Sequence, residues 1–91
     1  MLKVVQSNQF KKDLKLAKKR GLNLNILKEV INKLTLGEPL LQKNKNHHLS
    51  HEYKGFMECH IEPDWLLIYK IEDDNLILFL FRTGSHSDLF K

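Results

Sequence analysis

The chain predicts an α+β domain in which two N-terminal helices pack on a mainly antiparallel twisted sheet, in the order β-α-α-β-β-β. Three observations carry this. The first half holds two apolar stripes at helical spacing, the second half holds strand-length runs that alternate or stay apolar, and no internal repeat divides the 91 residues. That length suffices for one domain, residues 1–91, and not for two.

Leu2 to Val5 is a β-branched run that reads as the opening strand. Ser7 or Asn8 then caps a helix from Gln9 to Arg20, in which Phe10, Leu14 and Ala17 share one face, lysines fill the rest and Gly21 ends it. Leu24, Leu27, Ile31 and Leu34 mark a second helix, capped by Asn23 or Asn25 and closed by Gly37-Glu38-Pro39. Helices this short are marginal alone in water, so both stripes require the sheet. Residues 39–55 are polar and read as a long loop with room for a short turn of structure, a kind of segment that often carries function. Phe56 to Ile61 alternates, placing Met57, Cys59 and Ile61 on one face and Phe56, Glu58 and His60 on the other. Trp65 to Ile71 and Leu76 to Phe81, joined by the turn Asp73-Asp74-Asn75, form an antiparallel hairpin whose second strand has the apolar run of a central position. Arg82 to Phe90 is then a polar run ending in an apolar anchor.

With 42% hydrophobic and 29% charged residues, disorder is excluded as the default reading. Residues 1–46 carry ten Lys and Arg20 against Asp13, Glu29 and Glu38, a net +8, whereas residues 47–91 carry four bases against eight acids, a net −4. A basic half of this kind suits the holding of a polyanion, and equally a lysine-rich solvated helix surface. The apolar runs are too short for a signal peptide or a bilayer span, and the single cysteine, Cys59, permits no internal disulfide. A reducing cytoplasm without membrane attachment is the expected setting. Cys59 itself reads as a small buried hydrophobe and not as a nucleophile.

All five histidines, His47, His48, His51, His60 and His86, fall in the second half. Imidazole transfers protons near neutral pH. In an antiparallel meander the start of one strand and the end of the next share an edge, so Asp64, Arg82 and His86 are expected to converge. No HExxH arrangement exists and no G-x-S-x-G surrounds Ser85, which leaves neither a metal nor a cofactor implied. The set suits cleavage of RNA by its own 2′-hydroxyl, a reaction that needs a base, an acid and a cation on the phosphate. Trp65 and Phe56 occupy strand positions that read as core, while Tyr53 and Phe90 are placed to stack on an unpaired base.

Lys45-Asn46-His47-His48-Leu49, Cys59-His60-Ile61-Glu62-Pro63-Asp64-Trp65-Leu66-Leu67-Ile68-Tyr69-Lys70, Arg82-Thr83-Gly84-Ser85-His86 and the closing Leu89-Phe90 resemble the YafQ-type toxins of the RelE/ParE toxin-antitoxin superfamily. The resemblance implies an endoribonuclease that cuts messenger RNA on the ribosome and is neutralised by a small antitoxin protein. It implies a catalytic set of His47, His60, Asp64, Arg82 and His86, with His86 the leading acid or base and Arg82 holding the scissile phosphate. Phe90, Trp65, Lys45 and Lys54 form the matching RNA-binding set. The chain departs from the family at His48 and His51, where Pro and Gly are usual, and at Met57, often Arg. A ParE-like inhibitor of DNA gyrase has the same fold and no use for the histidines, and is the competing expectation. An RNA-binding or structural partner without catalysis is the third.

Overall fold

The computed structural model describes residues 1–90, in which five strands and three helices follow one another as β1 (Lys3–Gln6), α1 (Asn8–Lys19), α2 (Leu24–Thr35), β2 (His47–His48), β3 (Met57–Glu62), β4 (Trp65–Glu72), β5 (Ile77–Gly84) and α3 (His86–Leu89). The predicted α+β class holds. Ser7 accepts a hydrogen bond from the Phe10 amide at 2.9 Å to start α1, and Asn23 accepts from the Asn25 amide at 3.0 Å to start α2. Gly21 and Gly37 leave the two helices with positive φ, as helix ends of this kind require.

Strand order is β1-β5-β4-β3-β2, antiparallel throughout except that β1 runs parallel to β5. α1 and α2 cover one face. There Phe10, Ala17, Leu27, Val30 and Leu34 bury against Cys59, Ile61, Trp65, Leu67, Tyr69, Leu78 and Leu80. The opposite face buries a smaller cluster, Leu66, Ile68 and Leu89, packed by Leu49, Tyr53, Phe56 and Phe81.

Three local expectations are corrected. The polar stretch 39–55 holds short turns as expected, the 3₁₀ turns Gln42–Asn44 and His51–Tyr53, but it also contains the strand β2, which was not expected. Two-residue strands carry no periodicity, so β2 exists only because β3 offers it partners. The last strand begins and ends later than its apolar run, since Leu76 sits in the turn with φ 53° and the ladder continues to Gly84. The polar tail forms α3, closed by a capping box between Ser85 and Asp88.

One sheet edge is finished by side chains. β1 stops at Gln6, opposite Leu80. Beyond that point Ser7 donates its hydroxyl to the Phe81 carbonyl at 2.6 Å, and buried Asp13 of α1 accepts the Thr83 amide at 3.1 Å. These two groups replace a strand neighbour that β5 would otherwise lack.

Candidate active site

Register builds the site on the face away from α1 and α2. His47 lies opposite Glu58, Glu58 opposite Ile68, and Ile68 opposite Arg82, so one row crosses β2, β3, β4 and β5. His60, two residues along β3 from Glu58, shares that face. The backbone around His47 is fixed locally. Lys45 takes a left-handed φ of 46°, the Asn44 side chain donates through Nδ2 to the His60 carbonyl at 2.7 Å, and the Tyr69 hydroxyl donates to Asn46. Burial pushes the Tyr69 hydroxyl up to about 12, so it remains a donor at neutral pH.

α3 supplies the other wall. Ser85 accepts from the Asp88 amide at 3.1 Å while Asp88 accepts from the Ser85 amide at 2.9 Å, and Arg20 at the end of α1 donates to Asp88 at 2.7 Å. The Arg20 guanidinium and the Ser85 amide hold the Asp88 carboxyl well below the usual carboxylate range. Gly84 makes this packing possible, because a Cβ there would stand 2.9 Å from the Asp88 carboxylate and 3.0 Å from its Cβ. His86 begins α3 and meets Asp64 from the β3–β4 turn, which accepts both the His86 amide at 2.9 Å and His86 Nδ1 at 2.6 Å. Those two hydrogen bonds, the backbone one first, keep the Asp64 carboxyl below its ordinary value. Since Nδ1 carries the proton toward Asp64, Nε2 of His86 is the nitrogen left to exchange one.

The imidazoles form a short path across the face. Ring centroids of His47 and His60 are 6.4 Å apart, and those of His60 and His86 are 5.7 Å apart. Phe90 continues the path 6.4 Å from His86 and packs edge-on against Tyr53 at 5.4 Å. Lys43 and Lys45 border His60 in a cavity of about 390 Å³ that Ile26, Ile61 and Pro63 also line. Lys54 is exposed at the end of the second 3₁₀ turn. His48 and His51 are exposed, with no part in this arrangement; His48 borders a separate groove near Tyr69.

Two sequence expectations fail here. Trp65, grouped with the RNA-binding residues, is 3% exposed and donates its indole N–H to Thr83 at 2.9 Å, so its ring belongs to the helix-side core and offers no face to a base. Arg82 does not join Asp64 and His86. Its Nε donates to Asp13 at 2.9 Å and its Nη2 at 3.3 Å, because the long side chain lies where β5 meets α1. A guanidinium has five N–H donors, and those not used by Asp13 remain for an anion. In sequence Asp13 registers only through its charge; its burial depends on a strand 70 residues away and has no local signal. Glu58 was missed as well. It is 4% exposed, with Oε1 3.3 Å from His47 Nε2 and 3.6 Å from His60 Nε2. Cys59 follows its expectation: it is fully buried, and burial first, then the Glu58 charge, push its thiol up to about 12.

Over residues 2–91 the chain matches the family described as the bacterial toxin of type II toxin-antitoxin system, YafQ. The mRNA interferase toxin YafQ of Escherichia coli strain B (BL21-DE3) is 45% identical over 85 residues, covering 92% of this chain and 90% of the relative. A metal-bound toxin from Helicobacter pylori superposes with a TM-score of 0.94 at 46% identity, covering 99% of this chain and 100% of that one. The E. coli DinJ-YafQ toxin-antitoxin complex gives 0.89 at 41% identity, covering 99% and 98%. Among the described residues of this chain, no group of three or more His, Cys, Asp or Glu side chains is arranged to hold a metal ion.

Proposed function

The chain belongs to the YafQ family of bacterial type II toxin-antitoxin toxins, and on that premise we propose that it is an endoribonuclease cutting messenger RNA by paired acid and base catalysis, without a metal ion. The observation that carries this reading is the alignment of His47, His60 and His86 along one open face, with the tautomer of His86 set by Asp64. A base on the His60 side removes the 2′-hydroxyl proton, and the 2′-oxygen attacks the adjacent phosphorus. The bond to the 5′-oxygen breaks as His86 Nε2 delivers a proton to it, leaving a cyclic phosphate on one fragment and a 5′-hydroxyl on the other. Arg82 stabilises the charge gathering on the phosphoryl oxygens, while Asp13 holds the guanidinium in place. Phe90, 38% exposed and braced by Tyr53, offers a ring on which a base can stack.

Residues 1–91 serve as one RelE/ParE-like toxin domain in a reducing cytoplasm. Its substrate is mRNA at the ribosome, held by the basic helices and by Lys45 and Lys54, and its protein partner is a cognate antitoxin that silences it. The test incubates chain freed of antitoxin and treated with chelator, first with naked RNA and then with translating ribosomes, beside His86→Ala and Arg82→Ala. Cleavage with cyclic or 3′-phosphate ends, lost in both variants, is expected. Cleavage unaffected by either substitution overturns the site, and growth arrest with intact RNA and failed DNA supercoiling favours gyrase inhibition.

A further inference from the structure

Two guanidiniums line one cavity of about 210 Å³ where α1 meets β5 and α3, and each is paired with a carboxylate. Arg82 of β5 is bound by Asp13 of α1, while Arg20, the C-cap of α1, binds Asp88 of α3. Asp13 and Arg20 stand seven residues apart, two turns along one face of the helix, with Ala17 between them. One end of that face steadies the cation of the cleavage site. The work of the other end follows from what α3 carries.

α3 presents His86 and leads into Phe90, yet it is four residues long, and a helix of that length has no stability of its own in water. Its place is set from outside. Leu89 is buried, its carbonyl accepts from the Tyr53 hydroxyl at 3.0 Å, and Asp64 holds His86 from an exposed turn. Those contacts act at the first and last residues of α3. Asp88 adds the link to α1: Arg20 Nη1 donates to one carboxylate oxygen at 2.7 Å and Nη2 to the other at 3.3 Å. The same carboxylate accepts the Ser85 amide at 2.9 Å and lies against Gly84. A fork that grips a carboxylate by both oxygens fixes direction as well as distance, which a single exposed ion pair does not. Arg20 is the one arginine among the bases of residues 1–46, and among the described residues the lysines of α1 form no ion pair.

We propose that Arg20 is a positioning residue of the cleavage site: its fork on Asp88 sets α3 against the end of α1 and so determines where His86 and Phe90 stand relative to Arg82. The effect on catalysis rests on the ribonuclease reading, and the placement of α3 rests on the Arg20–Asp88 geometry alone. Arg20 thereby leaves the basic surface that holds RNA.

The experiment measures kcat and KM on the RNA that wild type cuts, naked or on ribosomes, and records side-chain NMR spectra of the free chain, for wild type, Arg20→Gln, Arg20→Lys, Asp88→Asn and the Arg20→Gln/Asp88→Asn double variant. Arg20 is half-exposed, so its substitution spares the core. Arg20→Gln and Asp88→Asn are each expected to lower kcat about tenfold with KM within about twofold, and the double variant to lose no more than about twofold beyond either, because both substitutions remove one contact. Arg20→Lys keeps the charge without the fork and is expected to remain about threefold slow. The ring signals of His86 and Phe90 move in the Gln and Asn variants, while those of Phe10 and Tyr69 stay. A raised KM at unchanged kcat in Arg20→Gln makes Arg20 an RNA contact and overturns the proposal. Losses that multiply in the double variant, full rate in Arg20→Lys, or unmoved His86 and Phe90 rings overturn it as well. If wild type cuts no RNA, the ribonuclease reading fails; moved rings then leave the hold of Arg20 on α3 standing, and unmoved rings remove that too.

Discussion

The two faces of the sheet are made from the same strands and have opposite characters. Toward α1 and α2 every inward position of β4 is apolar or aromatic, from Trp65 through Leu67 to Tyr69, and the polar atoms that enter, such as Thr83 Oγ1, are fully paired. Toward α3 the cover is thin, and the row His47, Glu58, Ile68, Arg82 mixes imidazole, carboxyl and guanidinium with a single aliphatic residue. Burial is concentrated on the first face and ionisable side chains on the second. Alternation along a strand allows this division, because a residue facing the core and its neighbour facing the site need share only a backbone.

Substitutions on the two faces should therefore separate cleavage from folding. The largest effect is expected for His86→Ala, which should reduce RNA cleavage about 10²–10⁴-fold while leaving the urea midpoint unchanged, since the ring is half-exposed and holds no core contact. A fall in both would erase the contrast. Leu80→Ala, on the helix face, should cost roughly 2–5 kcal/mol in denaturant unfolding, with cleavage per folded molecule retained. Trp65→Phe sharpens the boundary further. It removes the N–H donated to Thr83 and should cost about 1 kcal/mol, with RNA affinity unaltered; a weakened affinity at full stability would return Trp65 to the RNA-binding surface.

The smallest effect concerns pH. Asp64 and Asp88 both have folded values below their ordinary 3.8, Asp64 chiefly through the His86 amide and Asp88 chiefly through Arg20. Their contribution to anchoring α3 is therefore complete above that ordinary value and lost only as pH falls through the lower folded values. Amide signals of Ser85 and His86 should hold through mild acid and shift at stronger acid, ahead of those of Leu67 and Leu80. Simultaneous loss would mean that α3 and the core are one cooperative unit.

Much of the helix face was legible because its signals are local. Stripes, caps and stops placed α1 and α2 within a residue or two, and alternation in β3 separated Cys59 from His60 correctly. The site face was only half legible. The pairing of Asp64 with His86 followed from meander geometry, whereas Arg82 found Asp13 because β1 ends early and leaves β5 open to α1. Glu58 alternated like any strand residue, and only the two-residue pairing with β2 brought His47 over it. Contacts made across such distances have no periodicity to announce them.

The finish of β5 by Ser7 and Asp13 has a consequence for how the molecule meets its own kind. A strand edge with free amides and carbonyls invites a second chain to add to the sheet, and repetition of that addition builds fibres. Here the Phe81 carbonyl and the Thr83 amide are already occupied by the side chains of Ser7, which caps α1, and Asp13 within it, so the invitation is withdrawn without the expense of another strand. Loss of Asp13 would reopen a template for self-association as well as release Arg82.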